Sequence, residues 1–222
     1  VLTLSLDTST RLGSVALARS GELLAETSLS VRAAHSETVM PEIERVLRRC
    51  GEGPGSLDAV VVGAGPGSFT GVRIAASLAK GLCAARGATL YAFSSLEAVA
   101  MGVGAPGRVC ALFDARRGQV YAAAWSESPP ADPILGPVAA PLEAVLTRLG
   151  PIEAWSFSGD GAVRHRGVLE ARGARVLSTL HAYPRAAALL ELVVLAPDRG
   201  LVSDRADWEP TYVRSSGAER GL

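Results

Sequence analysis

The chain has 222 residues, 48% hydrophobic and 20% charged, with 22 basic and 22 acidic side chains. That is enough apolar material for one large domain or two of about 100 residues each, and it excludes a disordered chain. A formal net charge of zero excludes a broad electrostatic pull toward nucleic acid or an anionic membrane, leaving only local basic patches. Lys80 is the single lysine, so nearly all positive charge is arginine. Cys50, Cys83 and Cys110 are odd in number and form no CxxC pair, which reads as free thiols in a reducing compartment. No apolar run reaches the roughly 18 residues that cross a bilayer. The start, Val1 to Asp7, lacks a basic segment and a cleavage site. The expected compartment is the cytoplasm, without membrane contact.

Val1 to Asp7 alternates, with Leu2, Leu4 and Leu6 on one face and Thr3 and Ser5 on the other, the period of a strand. Gly13–Ala18 and Glu22–Val31 follow as strands, completing an antiparallel meander. A helix opens at His35-Ser36-Glu37-Thr38, with Val39, Ile43, Val46, Leu47 and Cys50 on one face. Pro41 has no N–H and fits only a first turn, so the regular helix should begin near Thr38 or be distorted there.

Val60-Val61-Val62 reads as a strand covered on both faces. Gly63, Gly65 and Gly67 then give the backbone unusual freedom, and Ser68 or Thr70 can cap the helix that follows. Two readings stand side by side: a turn whose amide N–H groups and helix dipole hold an anion, or a tightly packed corner. From Thr70 to about Arg86, Val72, Ile74, Ala75, Ala76, Leu78, Ala79, Leu82, Cys83 and Ala85 fill an arc of about 200° on a helical wheel, against the roughly 100° one sheet covers. The surplus calls for a second neighbour, from the same chain or from a partner. Thr89–Phe93 is a strand, and Ser94-Ser95-Leu96-Glu97 starts a short helix. The first half thus reads βββαβαβα.

Met101 to Gly107 is the expected boundary, dividing the chain into residues 1–104 and a smaller half, 105–222. Val109–Phe113 and Val120–Trp125 form a hairpin around Asp114-Ala115-Arg116-Arg117-Gly118-Gln119. Ser126–Pro137 reads as a proline-rich loop, Leu142–Leu149 as a helix, and Trp155–Ser158 as a strand ending in Gly159-Asp160-Gly161. A short helix near Arg164–Ala171, a strand at Val176-Leu177-Ser178 and an Ala/Leu-rich helix over Pro184–Leu195 follow. The tail through Trp208 and Tyr212 is extended, and the last residues are loose.

In this order the chain resembles the TsaB (YeaZ) family. The resemblance rests on Leu6-Asp7-Thr8-Ser9-Thr10, His35-Ser36-Glu37 with Pro41, and Gly65-Pro66-Gly67-Ser68-Phe69-Thr70-Gly71-Val72-Arg73. It rests also on Ser94-Ser95-Leu96, Asp114-Ala115-Arg116-Arg117 with Val120-Tyr121, Gly159-Asp160-Gly161, and Pro210, Tyr212 and Arg214. The resemblance implies an α/β chain of the actin-like ATPase (ribonuclease H-like) fold, two βββαβα-type halves facing each other. It implies a non-catalytic subunit without a cofactor, paired with a TsaD-type paralogue that carries nucleotide, metal and chemistry, and joined by a TsaE-type ATPase. Such a complex transfers a threonylcarbamoyl group from its adenylate to the adenosine beside the anticodon, so this chain would meet tRNA through the complex. Alone it would form a homodimer through its first two helices, and the implied interface is Val39, Met40, Ile43, Val72, Ala75, Ala76, Ala79 and Cys83.

The residues leave other readings open. Asp7, Thr8, Ser9, Gly65, Gly67 and Ser68 are candidates for a degenerate phosphate site. Asp7 could hold a metal-bound water or bond its own turn, while the Cβ of Ser9 crowds a triphosphate. A small actin-like kinase or ATPase is thus one alternative, and a glycoprotease-like hydrolase another. His35, His165 and His181 are never four apart, which speaks against a helical metal pair. Arg116 and Arg117 would point to different faces if extended, giving a solvated hairpin end or an anion site.

Overall fold

A computed structural model describes residues 1–30, 35–104 and 107–213. Arg214 and the end of the tail therefore lie outside the described residues, as do Val31 and part of the expected boundary.

The first sheet runs β3-β2-β1-β4-β5. It contains β1 (Leu2–Asp7), β2 (Leu12–Arg19), β3 (Glu22–Ser30), β4 (Ala59–Gly63) and β5 (Thr89–Phe93), interspersed with α1 (His35–Arg49), α2 (Phe69–Arg86) and α3 (Ser95–Gly102). The second sheet runs β10-β9-β6-β7-β8. Its strands are β6 (Arg108–Arg116), β7 (Gln119–Trp125), β8 (Leu135–Pro141), β9 (Trp155–Ser158) and β10 (Arg175–Val176), with α4 (Leu142–Leu149), α5 (Asp160–Arg164), α6 (Arg166–Glu170), α7 (Ala186–Leu195) and α8 (Pro197–Gly200). Each sheet carries an antiparallel meander whose first strand also pairs in parallel with the strand beyond, β1 with β4 and β6 with β9.

β8 corrects the expectation of a loop up to Pro137. Among the described residues it is an edge strand paired only with β7, and an edge tolerates the two prolines that hid it. α1 begins at His35 and encloses Pro41, rather than starting near Thr38. The missing N–H leaves the Glu37 carbonyl without its intrahelical donor. The single helix expected near Arg164–Ala171 is two short ones broken at His165, whose φ is −100°.

The apolar clusters stack as alternating layers. α1 and α2 cover one face of the first sheet through Leu4, Leu6, Val60, Val62, Ile43, Ala75 and Ala79. α4, α5 and α6 cover the far face of the second through Phe157, Leu112, Val145 and Leu169. Between the sheets lie α3 and α7. α3, from the first half of the sequence, packs Leu96, Val99 and Ala100 against Val109, Ala111 and Trp125 of the second sheet. α7, from the second half, packs Leu189 and Leu192 with Ala16, Ala18 and Val61 of the first. All strands before residue 104 join one sheet and all after 107 the other, while these two helices cross that line. Buried serines of β1 and β2 hold α7: Ser5 Oγ donates to the Ala186 carbonyl at 2.7 Å and Ser14 Oγ to the Pro184 carbonyl at 3.1 Å, which fixes the entry to the helix. Among the described residues no helix is long and apolar enough to cross a membrane.

Candidate functional site

Where β1 ends and the glycine turn begins, the two turns close on each other. Ser68 N–H donates to the Ser9 carbonyl at 2.6 Å. A Cβ on Gly67 would sit 2.2 Å from that oxygen, and one on Gly71 would sit 1.9 Å from the Thr8 carbonyl. Thr8 Oγ1 in turn donates to the Gly71 carbonyl at 2.6 Å. These glycines are therefore required by backbone-to-backbone contact, which is the tight-corner reading of the turn. Ser68 Oγ accepts from Gly71 N–H and caps α2.

Asp7 is fully buried. Its Oδ1 accepts from Ser9 N–H at 2.8 Å and Ser9 Oγ at 2.7 Å, and its Oδ2 from Ser95 Oγ at 2.6 Å. Ser95 Oγ also accepts from Gly65 N–H, and Ser95 N–H donates to the Gly65 carbonyl. A Cβ on Gly63 would lie 1.8 Å from Asp7 Oδ2. The six phosphate-site candidates are thus brought together, but Asp7 serves as a staple between β1, the glycine turn and α3. Of the two roles open to it, bonding its own turn is the one seen here.

Beside this corner opens a cleft of about 780 Å³, bounded by Ser9–Arg11, Pro66–Thr70, Asp114–Arg117, Tyr121, Asp160 and the tail at Thr211–Val213. Its second wall is the β6–β7 hairpin. Arg116 pairs with Gln119 across a two-residue loop, after a register shift past Asp114. Arg116 and Arg117 stand at φ +61° and +52°, ahead of Gly118 at +74°. Left-handed backbone costs an ordinary residue roughly 1–2 kcal/mol, and Asn-Gly would satisfy such a loop without it. Because the segment turns, the two arginines line the same cleft instead of opposite faces. Asp114 accepts Arg116 N–H on Oδ1 and the Arg164 guanidinium on Oδ2, at 2.9 and 2.6 Å. Asp160 Oδ1 accepts Asp114 N–H at 3.1 Å. Burial raises the Asp160 carboxyl above the ordinary range, against the lowering effect of that N–H, while the nearby Asp114 carboxylate adds to the rise. On the first wall, Arg11 Nε donates to Tyr183 Oη at 2.5 Å with its guanidinium over the ring.

The sequence compares well with known proteins. A family model described as "TsaD: tRNA N6-adenosine threonylcarbamoyltransferase" matches residues 22–221. The chain is 30% identical to YeaZ from Pseudomonas aeruginosa, with a TM-score of 0.82 over 95% of this chain and 99% of that one. The chain belongs to the TsaB/YeaZ family. Its fold is accordingly the actin-like one. It is 41% identical over 119 residues to the tRNA threonylcarbamoyladenosine biosynthesis protein TsaB of Bacillus subtilis, covering 53% of this chain and 52% of the relative. Against the protein of the same name in Escherichia coli it is 38% identical over 128 residues, 56% of this chain and 53% of the relative. The matched region thus spans about half the length of these curated relatives.

In this TsaB/YeaZ chain the expected interface residues sit inward. Val39, Ile43, Val72, Ala75, Ala76, Ala79 and Cys83 are all buried in the chain's own core, and Met40 packs against that core half-buried. A helical wheel gives the width of an apolar arc but not which part its own chain covers. One flank of α2 is strapped by the tail. Lys80 Nζ donates to the Ala206 carbonyl at 3.0 Å, Arg205 Nη1 to Ala88 at 2.7 Å and Arg73 Nε to Tyr212 Oη at 3.0 Å, while Trp208 packs onto the core. Phe69 and Tyr212 stack with centroids 5.4 Å apart. The outward face carries exposed Phe69 and Ser77 beside half-buried Ile74 and Leu78, the latter packed against the core, and with Thr70 and Arg73 they line a shallow groove. Gly81 is exposed further along the helix, and a Cβ there would meet nothing within 4 Å. Burial also raises the Cys83 thiol, so it is a packing group. Among the described residues no group of His, Cys, Asp and Glu could hold a metal ion.

Proposed function

We propose that the chain is a non-catalytic subunit in the formation of threonylcarbamoyladenosine on tRNA, paired with a TsaD-type transferase and joined by a TsaE-type ATPase. The observation that carries this reading is the closed corner in a chain whose named relatives are tRNA threonylcarbamoyladenosine biosynthesis proteins. A kinase or ATPase of this fold needs its first-strand carboxylate free to face the cleft. Here both oxygens of Asp7 accept protein hydrogen bonds and the amide of Ser68 is spent on Ser9. The contribution left to the chain is a surface. That surface is the outward face of α2, with Phe69 and the half-buried Ile74 as its apolar contacts, in place of the inward residues that the resemblance implied. The same face would serve a homodimer when no transferase is present, and tRNA would be met through the complex.

The test is reconstitution with the transferase. Mixed at micromolar concentration, the two chains should elute together, and tRNA modification should stop when this chain is omitted. Ile74→Asp with Ser77→Asp should weaken pairing at least tenfold, since an unpaired charge in an apolar contact is costly, while lowering the unfolding midpoint of the isolated chain only slightly, because Ser77 is exposed and Ile74 half-buried. Separate elution of the wild-type chains would end the proposal.

A further inference from the structure

α7 has the sequence of a buried helix but is not covered all round. Glu191 is its only polar side chain in ten residues, and a helix apolar on every side is one built to be covered on every side. Leu189, Leu190 and Leu192 are buried, whereas Val194 and Leu195 are 60% and 54% exposed. Ala187, Glu191 and Val194 share one face of α7 by their spacing, and both ends of that face reach β3. Ala187 N–H donates to Glu26 Oε1 at 3.0 Å, and a Cβ on Gly21 would lie 3.9 Å from Val194 Cγ2. Leu23 pairs with Ala18, which packs in one cluster with Leu189 and Leu192, so Leu23 stands on the α7 face of the sheet, 48% exposed. Leu23, Val194 and Leu195 thus form an apolar patch beside the β2–β3 turn. Single exposed apolar side chains are ordinary, while contiguous patches mark contact sites.

The charge around the patch is of one sign. Glu22, Glu191 and Asp198 are exposed and make no hydrogen bond or ion pair among the described residues. The cations on the adjoining segments are engaged, Arg19 by Glu52, Arg185 by Glu26 and Arg199 by Glu97. α7 also has no basic residue in its last turn, so its C-terminal carbonyl groups keep their partial negative charge. Leu24 is the extra residue of a bulge opposite Leu17 and Ala18. A bulge spoils this end of β3 as a template for a further strand, so the patch offers side chains, not backbone.

We infer that this patch docks a basic amphipathic helix of a partner protein, its apolar stripe on Leu23, Val194 and Leu195 and its cationic side chains on Glu22, Glu191 and Asp198. Apolar anchors three and four residues apart suit so short a patch. The acidic rim repels nucleic acid and anionic lipid, which carry the same sign. α7 lies on the face of the first sheet opposite α1 and α2, so a helix seated here does not compete with pairing through α2.

The experiment is a fluorescence-anisotropy titration of a labelled Leu/Lys amphipathic peptide, about four helical turns long, with the full chain. A second peptide carries Glu in place of every Lys. The Leu/Lys peptide should bind saturably at micromolar concentration, more weakly as salt rises, and the Leu/Glu peptide at least tenfold more weakly. Val194→Ser with Leu195→Ser should lose at least tenfold in affinity for the Leu/Lys peptide, with an unfolding midpoint close to wild type because both side chains are largely exposed. Glu22→Gln with Glu191→Gln should lose at least threefold and flatten the salt dependence. Ile74→Asp with Ser77→Asp, on α2, should bind the peptide like wild type. The inference is overturned if the Leu/Glu peptide binds as tightly, if both patch variants bind like wild type, or if the α2 variant loses the peptide instead. It is overturned equally if the wild-type chain self-associates and the double serine variant does not, which would make a second copy the occupant, or if anionic vesicles displace the peptide by binding the chain. Elution with the transferase is untouched by any of these outcomes, so the two readings fail separately.

Discussion

The two sheets present corresponding corners to the cleft, and the corners have met different fates. Each first strand carries an aspartate at or near its end, Asp7 on β1 and Asp114 on β6, and each strand paired with it in parallel runs into a glycine, Gly63 at the end of β4 and Gly159 just after β9. In the first corner the aspartate is buried and carries hydrogen bonds from Ser9 and Ser95, while the neighbouring glycines press on Thr8 and Ser9. In the second, Asp114 is only partly buried, and the chain beyond it swings into a left-handed loop that leaves two arginines exposed. One corner spends its polar groups on itself and holds the fold together. The other leaves cationic groups available. A glycine-rich turn is therefore not a binding site by composition alone; what decides is whether its amides and neighbouring carboxylate are already taken.

The sharpest way to break this contrast is Gly71→Ala. Its Cβ would collide with the Thr8 carbonyl at 1.9 Å, and the buried backbone just after β1 cannot yield cheaply. A loss of about 3 kcal/mol or more is expected in urea unfolding; a loss under about 1 kcal/mol would mean the corner is open, not closed. Gly161→Ala tests the second corner, where a Cβ would lie 2.8 Å from the Phe113 carbonyl carbon. A smaller loss of about 1–2 kcal/mol is expected there. Arg116→Asn with Arg117→Asn, in the left-handed loop of the hairpin, has the opposite sign. Relief of left-handed strain should stabilise the isolated chain by about 1 kcal/mol, read as a raised urea midpoint.

The smallest effect is in pH. The carboxyl of Asp160 faces Asp114 and its N–H, the N–H of Gly161 and the charge of Arg11. Burial raises its folded-state pKa above the unfolded value, so between the two the folded chain holds a proton that the unfolded chain has released. This contribution to stability is therefore full below the unfolded value and is lost as pH rises through the raised folded one. Asp160→Asn removes this term, so its urea midpoint should lose that part of the pH slope. An identical slope in both proteins would show that Asp160 does not titrate differently on folding.

Much of this was legible in the chain itself. Three valines followed by spaced glycines and then Ser68 or Thr70 specified a buried strand, a turn and a capped helix, because each signal lies within one short window. The order βββαβαβα of the first half followed from the same local periodicities. β8 escaped because Gly136, Pro137 and Pro141 argue against a strand everywhere except at an edge, and edge position belongs to the sheet.

The sequence by itself therefore determined the elements, their order and the family resemblance, since backbone preference and side-chain period are properties of neighbouring residues. Tertiary structure alone decided which face of α2 stays open, that Asp7 turns inward, that α7 crosses to the first sheet, and that Arg11 meets Arg116 and Arg117 around one cleft. Accessibility and charge neighbourhood are sums over chain segments far apart in sequence, and no local pattern contains those sums.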